Sequence, residues 1–156
     1  MEEYFYFAYG IHMDPRELAK LSIRVRSYTP CVLDGYRLAF NVLFDELFRF
    51  ERCGLANIVP DAGCRVEGAL YRINEEELAK LDEEAGVSSL KYYRKQVRVN
   101  CGGETVLALT YAAWPDVTAQ GLLPSGDYLK RVISAVRRNK VSRDFRVWLE
   151  SHPTVR

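Results

Sequence analysis

The stretch from Tyr4 to Lys20 constrains the fold more than any other part of the sequence. It opens with six consecutive aromatic or apolar residues, Tyr-Phe-Tyr-Phe-Ala-Tyr, and such a run predicts a β-strand that is buried on both faces. Gly10 ends the run, and residues 11–13 are predicted to form a short loop. Backbone N–H groups at such a turn suit an oxyanion or a carboxylate, although a plain strand-to-helix connection has the same pattern.

A helix start follows this loop directly. Asp14 is a favoured N-cap residue, Pro15 fits the first helical position, and Glu17 is spaced to accept a hydrogen bond from the backbone N–H of Asp14. The pattern predicts a short helix from Pro15 to about Leu21. The loop therefore lies between a buried strand and a helix N-terminus.

The remaining pattern predicts short strands joined by tight turns, with helices between some of them. Asp34-Gly35 and Gly102-Gly103 are typical hairpin turns, and Gly68 in mid-strand indicates a bulge or a close backbone approach. Residues 44–54 are predicted to form a helical turn or a loop over the core. The predicted strands are residues 36–42, 56–59, 65–73, 92–101 and 104–114, with a turn at residues 60–63.

Three further helices are predicted from their caps and apolar stripes. Asn74 caps a helix that Gly86 ends, Ser125 to Asp127 opens a second helix, and a third runs from Ser142 to about Ser151. The tight turns favour antiparallel pairing, so the predicted fold class is α+β, with a closed barrel as one arrangement of the strands and not a parallel doubly wound sheet. A length of 156 residues predicts one domain.

Composition and charge exclude several classes of partner. The net charge is +1, which gives no general attraction to nucleic acid or to a membrane surface. No apolar run approaches the roughly 20 residues of a membrane span. Glu2 and Glu3 stand where a signal peptide would have basic residues, so a cytoplasmic location is expected.

The four cysteines do not form a metal-binding pattern. Cys31, Cys53, Cys64 and Cys101 are widely spaced, with no C-x-x-C pair and no adjacent histidine. We expect free thiols in a reducing compartment. No metal and no cofactor are predicted.

The C-terminal stretch is basic, unlike the rest of the chain. Tyr128 to Arg156 contains eight Lys or Arg residues and two acidic residues. Such a stretch usually forms a solvated helix face. An anionic partner is the alternative, although no nucleic-acid-binding motif accompanies it.

Several segments together resemble γ-glutamylcyclotransferase-like proteins. Residues 6–13, Tyr-Phe-Ala-Tyr-Gly-Ile-His-Met, resemble the signature loop of that family, which usually reads Tyr-Gly-Ser-Asn followed by Leu or Met. Further matching segments occur in the family's order, so the resemblance covers most of the chain, from about Tyr4 to Val136. They are residues 35–40, 66–71, 81–87 and the Pro-Ser-x-x-Tyr pattern at 124–128.

The resemblance implies a small, mainly antiparallel β-barrel flanked by helices, in one domain with the barrel core at about 4–136 and C-terminal helices to 156. It also implies a cavity above the signature loop and an intramolecular reaction in that cavity. In the family, the α-amine of a γ-glutamyl group attacks its own γ-carbonyl and releases 5-oxoproline and an amine. A glutamate just before a Gly-Val pair transfers the proton, and backbone N–H groups of the signature loop hold substrate oxygens. Mapped onto this sequence, the implied substrate-binding residues are Tyr9, Gly10, Ile11, His12, Met13 and Tyr92.

The chain departs from the family pattern at the catalytic position. The residue before Gly86-Val87 is Ala85, and Ile11 and His12 stand where the family has Ser and Asn. Loss of a positioned acid–base group costs about 10²–10⁴ in rate. The resemblance therefore predicts a small-molecule pocket, for a γ-glutamyl or amino-acid-like ligand, with lost or weakened catalysis.

Alternatives remain open at three residues. His12 is a candidate proton-transfer group, or it fills the Asn position and bonds backbone groups. Glu84 is the second candidate, or it belongs to a solvated helix face, because it points about 100° away from the direction of Ala85. Tyr92 lines the cavity or packs in the barrel core.

Three functional hypotheses follow. The first is a ligand-binding protein of the cyclotransferase fold with lost or weakened activity. The second is an active cyclotransferase that uses His12 or Glu84. The third is a non-enzymatic interaction module that acts through the basic C-terminal helices.

Overall fold

Five strands form a closed barrel that is flanked by helices. A computed structural model describes residues 2–25, 28–44 and 52–155 of the chain. The elements are β1 (Glu3–Ala8), a 3-10 helix (Gly10–Met13), α1 (Pro15–Ala19), β2 (Tyr28–Phe44), β3 (Cys53–Asn74), α2 (Glu75–Glu84), β4 (Tyr92–Cys101), β5 (Glu104–Ala113), a second 3-10 helix (Pro115–Val117), α3 (Gly126–Arg137) and α4 (Arg143–Glu150).

The strand order around the barrel is β1-β3-β2-β4-β5. Neighbouring strands pair in antiparallel fashion, except that β1 closes the barrel against β5 in parallel, with Tyr6 opposite Leu109. The predicted α+β class and mainly antiparallel barrel are confirmed.

The predicted first strand forms β1, and its C-terminal half is buried. Phe7 and Ala8 have no exposed surface, as expected for a strand that is covered on both faces. A Cβ atom added at Gly68 would collide with the carbonyl oxygen of Ala8 and with the ring of Phe7, so β3 passes this strand at a distance that only glycine permits. The predicted close approach at Gly68 is confirmed.

The predicted hairpin at Asp34-Gly35 is wrong. Strand β2 continues through these residues and pairs with β3 on both sides of them, with Asp34 opposite Arg65 and Tyr36 opposite Pro60. Gly35 has a φ of +81°, in the left-handed region. It lies where the register between β2 and β3 shifts, and the chain does not reverse there. The two strands and the turn predicted between residues 56 and 73 are accordingly one strand, β3.

The predicted helix caps of the three longer helices are confirmed. Asn74 accepts from the N–H of Glu77 at 2.8 Å, and the Glu77 carboxylate accepts from the N–H of Asn74 at 2.9 Å, which completes a capping box. Ser125 and Ser142 cap α3 and α4 with their hydroxyl oxygens. Gly86, with a φ of +66°, ends α2.

The region around α1 differs from the prediction in two respects. Residues 10–13 form a 3-10 turn, whereas a loop was predicted, and α1 ends at Ala19. Asp14 caps α1, but its own N–H donates to the carbonyl oxygen of Ile11. Glu17 therefore has no cap to satisfy, and its carboxylate instead bonds Lys20 and Arg131.

The prediction of free thiols is wrong for two of the four cysteines. Cys31 and Cys101 form a disulfide across the neighbouring strands β2 and β4, with their Cα atoms 4.5 Å apart. The reason is that Val32 pairs with Asn100, which brings the adjacent cysteines face to face. Cys64 keeps an exposed thiol.

Two further sequence predictions concern the segment after β2 and the absence of a membrane span. Residues 45–51, most of the predicted turn or loop after β2, lie outside the described residues. Within the parts of the chain that the structure describes, no helix has both the length and the apolar character to cross a bilayer.

Candidate functional site

A cleft of about 630 Å³ opens above the first 3-10 helix. Its walls come from that helix, from the start of β3, from the end of α2 with the turn that follows it, and from α3. The lining residues are Tyr6, Tyr9, Ile11, His12, Phe44, Cys53, Gly54, Leu55, Ala56, Leu81, Glu84, Ala85, Lys91, Tyr92, Tyr111, Ser125, Asp127, Tyr128 and Arg131.

Most of the residues predicted for the site meet in this cleft. Four of the six predicted ligand-binding residues line it, and so do both positions considered for proton transfer on α2: these are Tyr9, Ile11, His12, Tyr92, Glu84 and Ala85. Gly10 and Met13 do not belong to the lining. The Met13 side chain is buried in the core, and its carbonyl oxygen accepts from the Tyr71 hydroxyl at 2.9 Å and from the Asn139 amide at 2.7 Å.

His12 is a partly buried imidazole on the floor of the cleft. Its Nδ1 lies 3.2 Å from the Tyr6 hydroxyl. Burial lowers the pKa of His12 to about 4; Arg131 also lowers it, whereas Glu17 raises it. The ring is therefore neutral at neutral pH, with one nitrogen as a donor and the other as an acceptor.

Two tyrosine hydroxyls hold the backbone of Ala56 at the cleft wall. Tyr92 donates to the Ala56 carbonyl oxygen at 2.7 Å, and the Ala56 N–H donates to the Tyr128 oxygen at 3.1 Å. The Tyr92 proton is thus committed to the protein, whereas the Tyr128 hydroxyl proton remains available as a donor. Burial raises the pKa of Tyr128 to about 12, so this donor stays protonated at neutral pH.

Other tyrosines support the wall. Tyr9 donates to the carbonyl oxygen of Tyr111, and Tyr111 donates to the Asp82 carboxylate at 2.6 Å. Asp82 also pairs with Arg94, on the outer side of the barrel. These hydrogen bonds connect Tyr9, which follows β1, to β5 and to α2, so the aromatic part of the cleft is rigid.

Charged groups of both signs line the cleft. Arg131 on α3 donates to Glu17 on α1, with Nη2 and Oε2 2.6 Å apart. Lys91, Glu84 and Asp127 supply one further positive and two negative groups.

Position 85 carries no proton-transfer group. Ala85 is the C-cap residue of α2, and its N–H donates to the carbonyl oxygen of Leu81 at 2.8 Å. Ala85 lines the cleft beside Glu84, which is exposed at the end of the helix. Glu84 is thus the acid of α2 that borders the cleft.

Sequence reasoning missed Lys91 and Arg131 as lining residues. Arg131 was assigned to a solvated basic face. Its ion pair with Glu17 could not be predicted, because the two residues lie 114 positions apart in the sequence. Lys91 belongs to no recognised sequence motif, and it reaches the cleft only through the path of the turn between α2 and β4. Tyr128 was identifiable from the Pro-Ser-x-x-Tyr pattern.

The closed barrel with a tyrosine-lined cleft defines the class of fold, and known proteins share this fold. The chain is 23% identical over 150 residues to the γ-glutamylcyclotransferase of Bos taurus, covering 96% of this chain and 79% of that protein. It is 34% identical over 102 residues to the putative γ-glutamylcyclotransferase YkqA of Bacillus subtilis (strain 168), covering 64% of this chain and 34% of that protein.

Solved structures agree on the fold. A γ-glutamyl cyclotransferase structure superposes with a TM-score of 0.83 at 23% identity, covering 99% of this chain and 90% of the other. The crystal structure of YkqA from Bacillus subtilis gives a TM-score of 0.83 at 26% identity, covering 99% of this chain and 57% of the other. The model of the AIG2-like family matches residues 65–149. The chain belongs to this AIG2-like, γ-glutamylcyclotransferase-like family.

Proposed function

We propose that the cleft binds a γ-glutamyl or related amino-acid-derived small molecule, and that cyclotransferase turnover is lost or strongly weakened. The observation that carries the proposal is that Ala85, which has no group to transfer a proton, lines the cleft at the position where the family has its catalytic glutamate. The cleft is kept, whereas the group that moves the proton is not.

The reaction of the family requires two proton movements. The α-ammonium of the γ-glutamyl group must lose a proton before its nitrogen forms a bond to the γ-carbonyl carbon, and the departing amine must gain one as its bond to that carbon breaks. One carboxylate that alternates between base and acid serves both steps. Ala85 does neither, and the expected reduction is about 10²–10⁴ in rate, or about 3–5 kcal/mol of barrier.

Ligand binding is supported by the groups that remain. Tyr128 has a hydroxyl proton to donate, and the first 3-10 helix has no side-chain cap on its leading N–H groups. Arg131 provides positive charge for a carboxylate, and Glu84 and Asp127 provide negative charge for an ammonium. These complementary charges support an amino-acid-like ligand.

A second candidate is an active enzyme that uses Glu84 or His12. Glu84 borders the cleft, which favours this candidate, but its side chain is exposed at the helix end. His12, with a pKa of about 4, is a weak base at neutral pH. A base so far below the working pH accepts a proton from an ammonium inefficiently. Activity that survives both His12→Ala and Glu84→Gln would remove this candidate.

The interaction-module hypothesis receives little support from the basic helices. Within the described residues, Arg131 pairs with Glu17, Arg138 with Asp14, and Arg137 with Glu150. Much of the positive charge on α3 is therefore matched within the chain. A charge-reversed Arg137/Arg138 variant that kept every partner of the wild type would exclude this hypothesis.

The test of the proposed function separates binding from turnover. Calorimetric titration with γ-glutamyl dipeptides and γ-glutamylamines should show binding, while release of 5-oxoproline stays far below ordinary enzyme rates. Tyr128→Phe, which removes the available donor, should weaken binding by about tenfold. Tyr93→Phe changes a tyrosine outside the lining and is the matched control. Turnover by the wild type at ordinary enzyme rates would contradict the proposal.

A further inference from the structure

Lys91 is a cleft residue whose position is set by backbone hydrogen bonds. Its N–H donates to the carbonyl oxygen of Gly86 at 3.1 Å, and its carbonyl oxygen accepts from the N–H of Trp114 at 3.0 Å. These bonds anchor the residue on both sides, between the turn after α2 and the end of β5. The direction in which its side chain leaves the backbone is therefore fixed.

The stem of this side chain runs across the end of α2. A Cβ atom placed on Gly86, the residue after Ala85, would lie 3.2 Å from Cβ and 3.6 Å from Cδ of Lys91. The ammonium nitrogen then lies 5.6 Å from the ring centroid of Phe44 and 6.0 Å from that of Tyr92. The side chain of Lys91 thus passes Gly86, and its ammonium group lies beside two aromatic rings of the cleft.

The ammonium group is partly withdrawn from water and has no hydrogen-bonded carboxylate among residues 2–25, 28–44 and 52–155. Burial lowers the pKa of Lys91, and the field of Glu84 raises it. Arg131, the other cation of the cleft, is by contrast bonded to Glu17. Aromatic faces compensate a desolvated cation only in part, so Lys91 keeps three N–H donors for an anion.

We propose that Lys91 determines ligand specificity by binding an anionic group, a carboxylate or a phosphonate, on the part of the ligand that extends beyond the γ-glutamyl head. This inference rests on the proposed function, because it assumes that the head group occupies the same cleft. It goes further in assigning a residue and a charge requirement to the rest of the ligand. A lysine recognises such a group as a compact point charge, without demanding one geometry.

Three ligands test the charge requirement: γ-glutamylglycine, γ-glutamylaminomethylphosphonate and the neutral γ-glutamylglycinamide. We expect the wild type to bind at least one of the two acids with a Kd about 10- to 100-fold lower than that of the amide. Lys91→Met should abolish that difference and leave the Kd of the amide unchanged. The acid with the lower Kd identifies the preferred anion.

Lys95→Met provides a matched control. Lys95 also holds its ammonium over a ring, 5.9 Å from the centroid of Tyr36, but it does not line the cleft. This variant should keep the preference of the wild type.

The outcomes that overturn the inference are distinct. Equal affinity of the wild type for all three compounds, or a preference that persists in Lys91→Met, excludes this role for Lys91 and leaves the proposed function intact. If Lys91→Met loses the same affinity for all three compounds, Lys91 binds the head group that they share, and this result also overturns the inference. If the wild type binds none of the three, the proposed function fails together with this inference.

Discussion

His12 illustrates, at the scale of one residue, how neighbours decide what a side chain can do. An isolated imidazole would titrate near neutral pH, which made His12 a candidate for proton transfer. In the structure, burial and Arg131 both lower its pKa, and Glu17 opposes them. The sequence alone could not predict this outcome, because Glu17 and Arg131 are brought to the ring by α1 and α3.

Protonation of His12 should make stability depend on pH. The pKa is 6.5 in the unfolded chain and about 4 in the folded one, so the unfolded state binds the proton first as the pH falls. The free energy of unfolding should therefore be unaffected by His12 above about pH 6.5 and decrease between about pH 6.5 and 4. The loss should reach at most about 3 kcal/mol.

Urea unfolding at several pH values measures this effect. His12→Asn, which installs the usual family residue, should remove most of the decrease between about pH 6.5 and 4. If the free energy of unfolding decreases equally for the variant and the wild type across that range, the pKa of His12 is not lowered in the folded protein.

At the scale of secondary-structure elements, predictions succeeded where a few neighbouring residues decide the outcome. Asn74 was predicted as an N-cap, and it caps α2 in a capping box with Glu77, three residues further on. The Asp34-Gly35 pair has the local chemistry of a turn, but pairing with β3 on both sides of it overrides that preference. Glu17 has the spacing of a capping box, yet the Asp14 N–H already bonds Ile11.

The cap of α2 gives a prediction at this scale. Asn74→Ala removes the acceptor for the N–H of Glu77, so the variant should be about 1 kcal/mol less stable towards urea. Asn74→Ser keeps an acceptor and should retain most of the stability. If both variants lost the same amount, the cap would not be the cause.

At the scale of the whole molecule, the sequence resemblance identified the barrel and named some of the residues that line the cleft. It did not predict the contacts between distant segments. Residues 31 and 101 are 70 positions apart, so spacing rules for metal sites did not indicate their pairing. Lys91 and Arg131 reach the cleft only after the barrel closes. The family motifs include Tyr128 and Ala85 because those patterns are contiguous in the sequence, although Tyr128 was not predicted as a ligand-binding residue.

The Cys31–Cys101 disulfide should stabilise the barrel. A cross-link that closes a loop of this length restricts the unfolded chain and typically contributes about 2–4 kcal/mol. Unfolding of the oxidised protein with and without a thiol reductant should show a loss of that size. The Cys31→Ala/Cys101→Ala variant should be insensitive to the reductant, whereas Cys64→Ala should respond like the wild type. Equal stability of the oxidised and reduced wild type would contradict this assignment.

The central claim is that the cleft binds a γ-glutamyl ligand and that Ala85 leaves it without the acid–base group that turnover requires. The measurement that tests it most directly is the rate of 5-oxoproline release from a γ-glutamyl compound that the wild type binds, compared among wild type, Ala85→Glu and Ala85→Gln. The glutamine variant matches the glutamate in size but cannot transfer the proton. Ala85→Glu should exceed both other proteins by about 10²–10⁴ in rate. A wild type as fast as Ala85→Glu, or an Ala85→Gln variant as fast as Ala85→Glu, would contradict it.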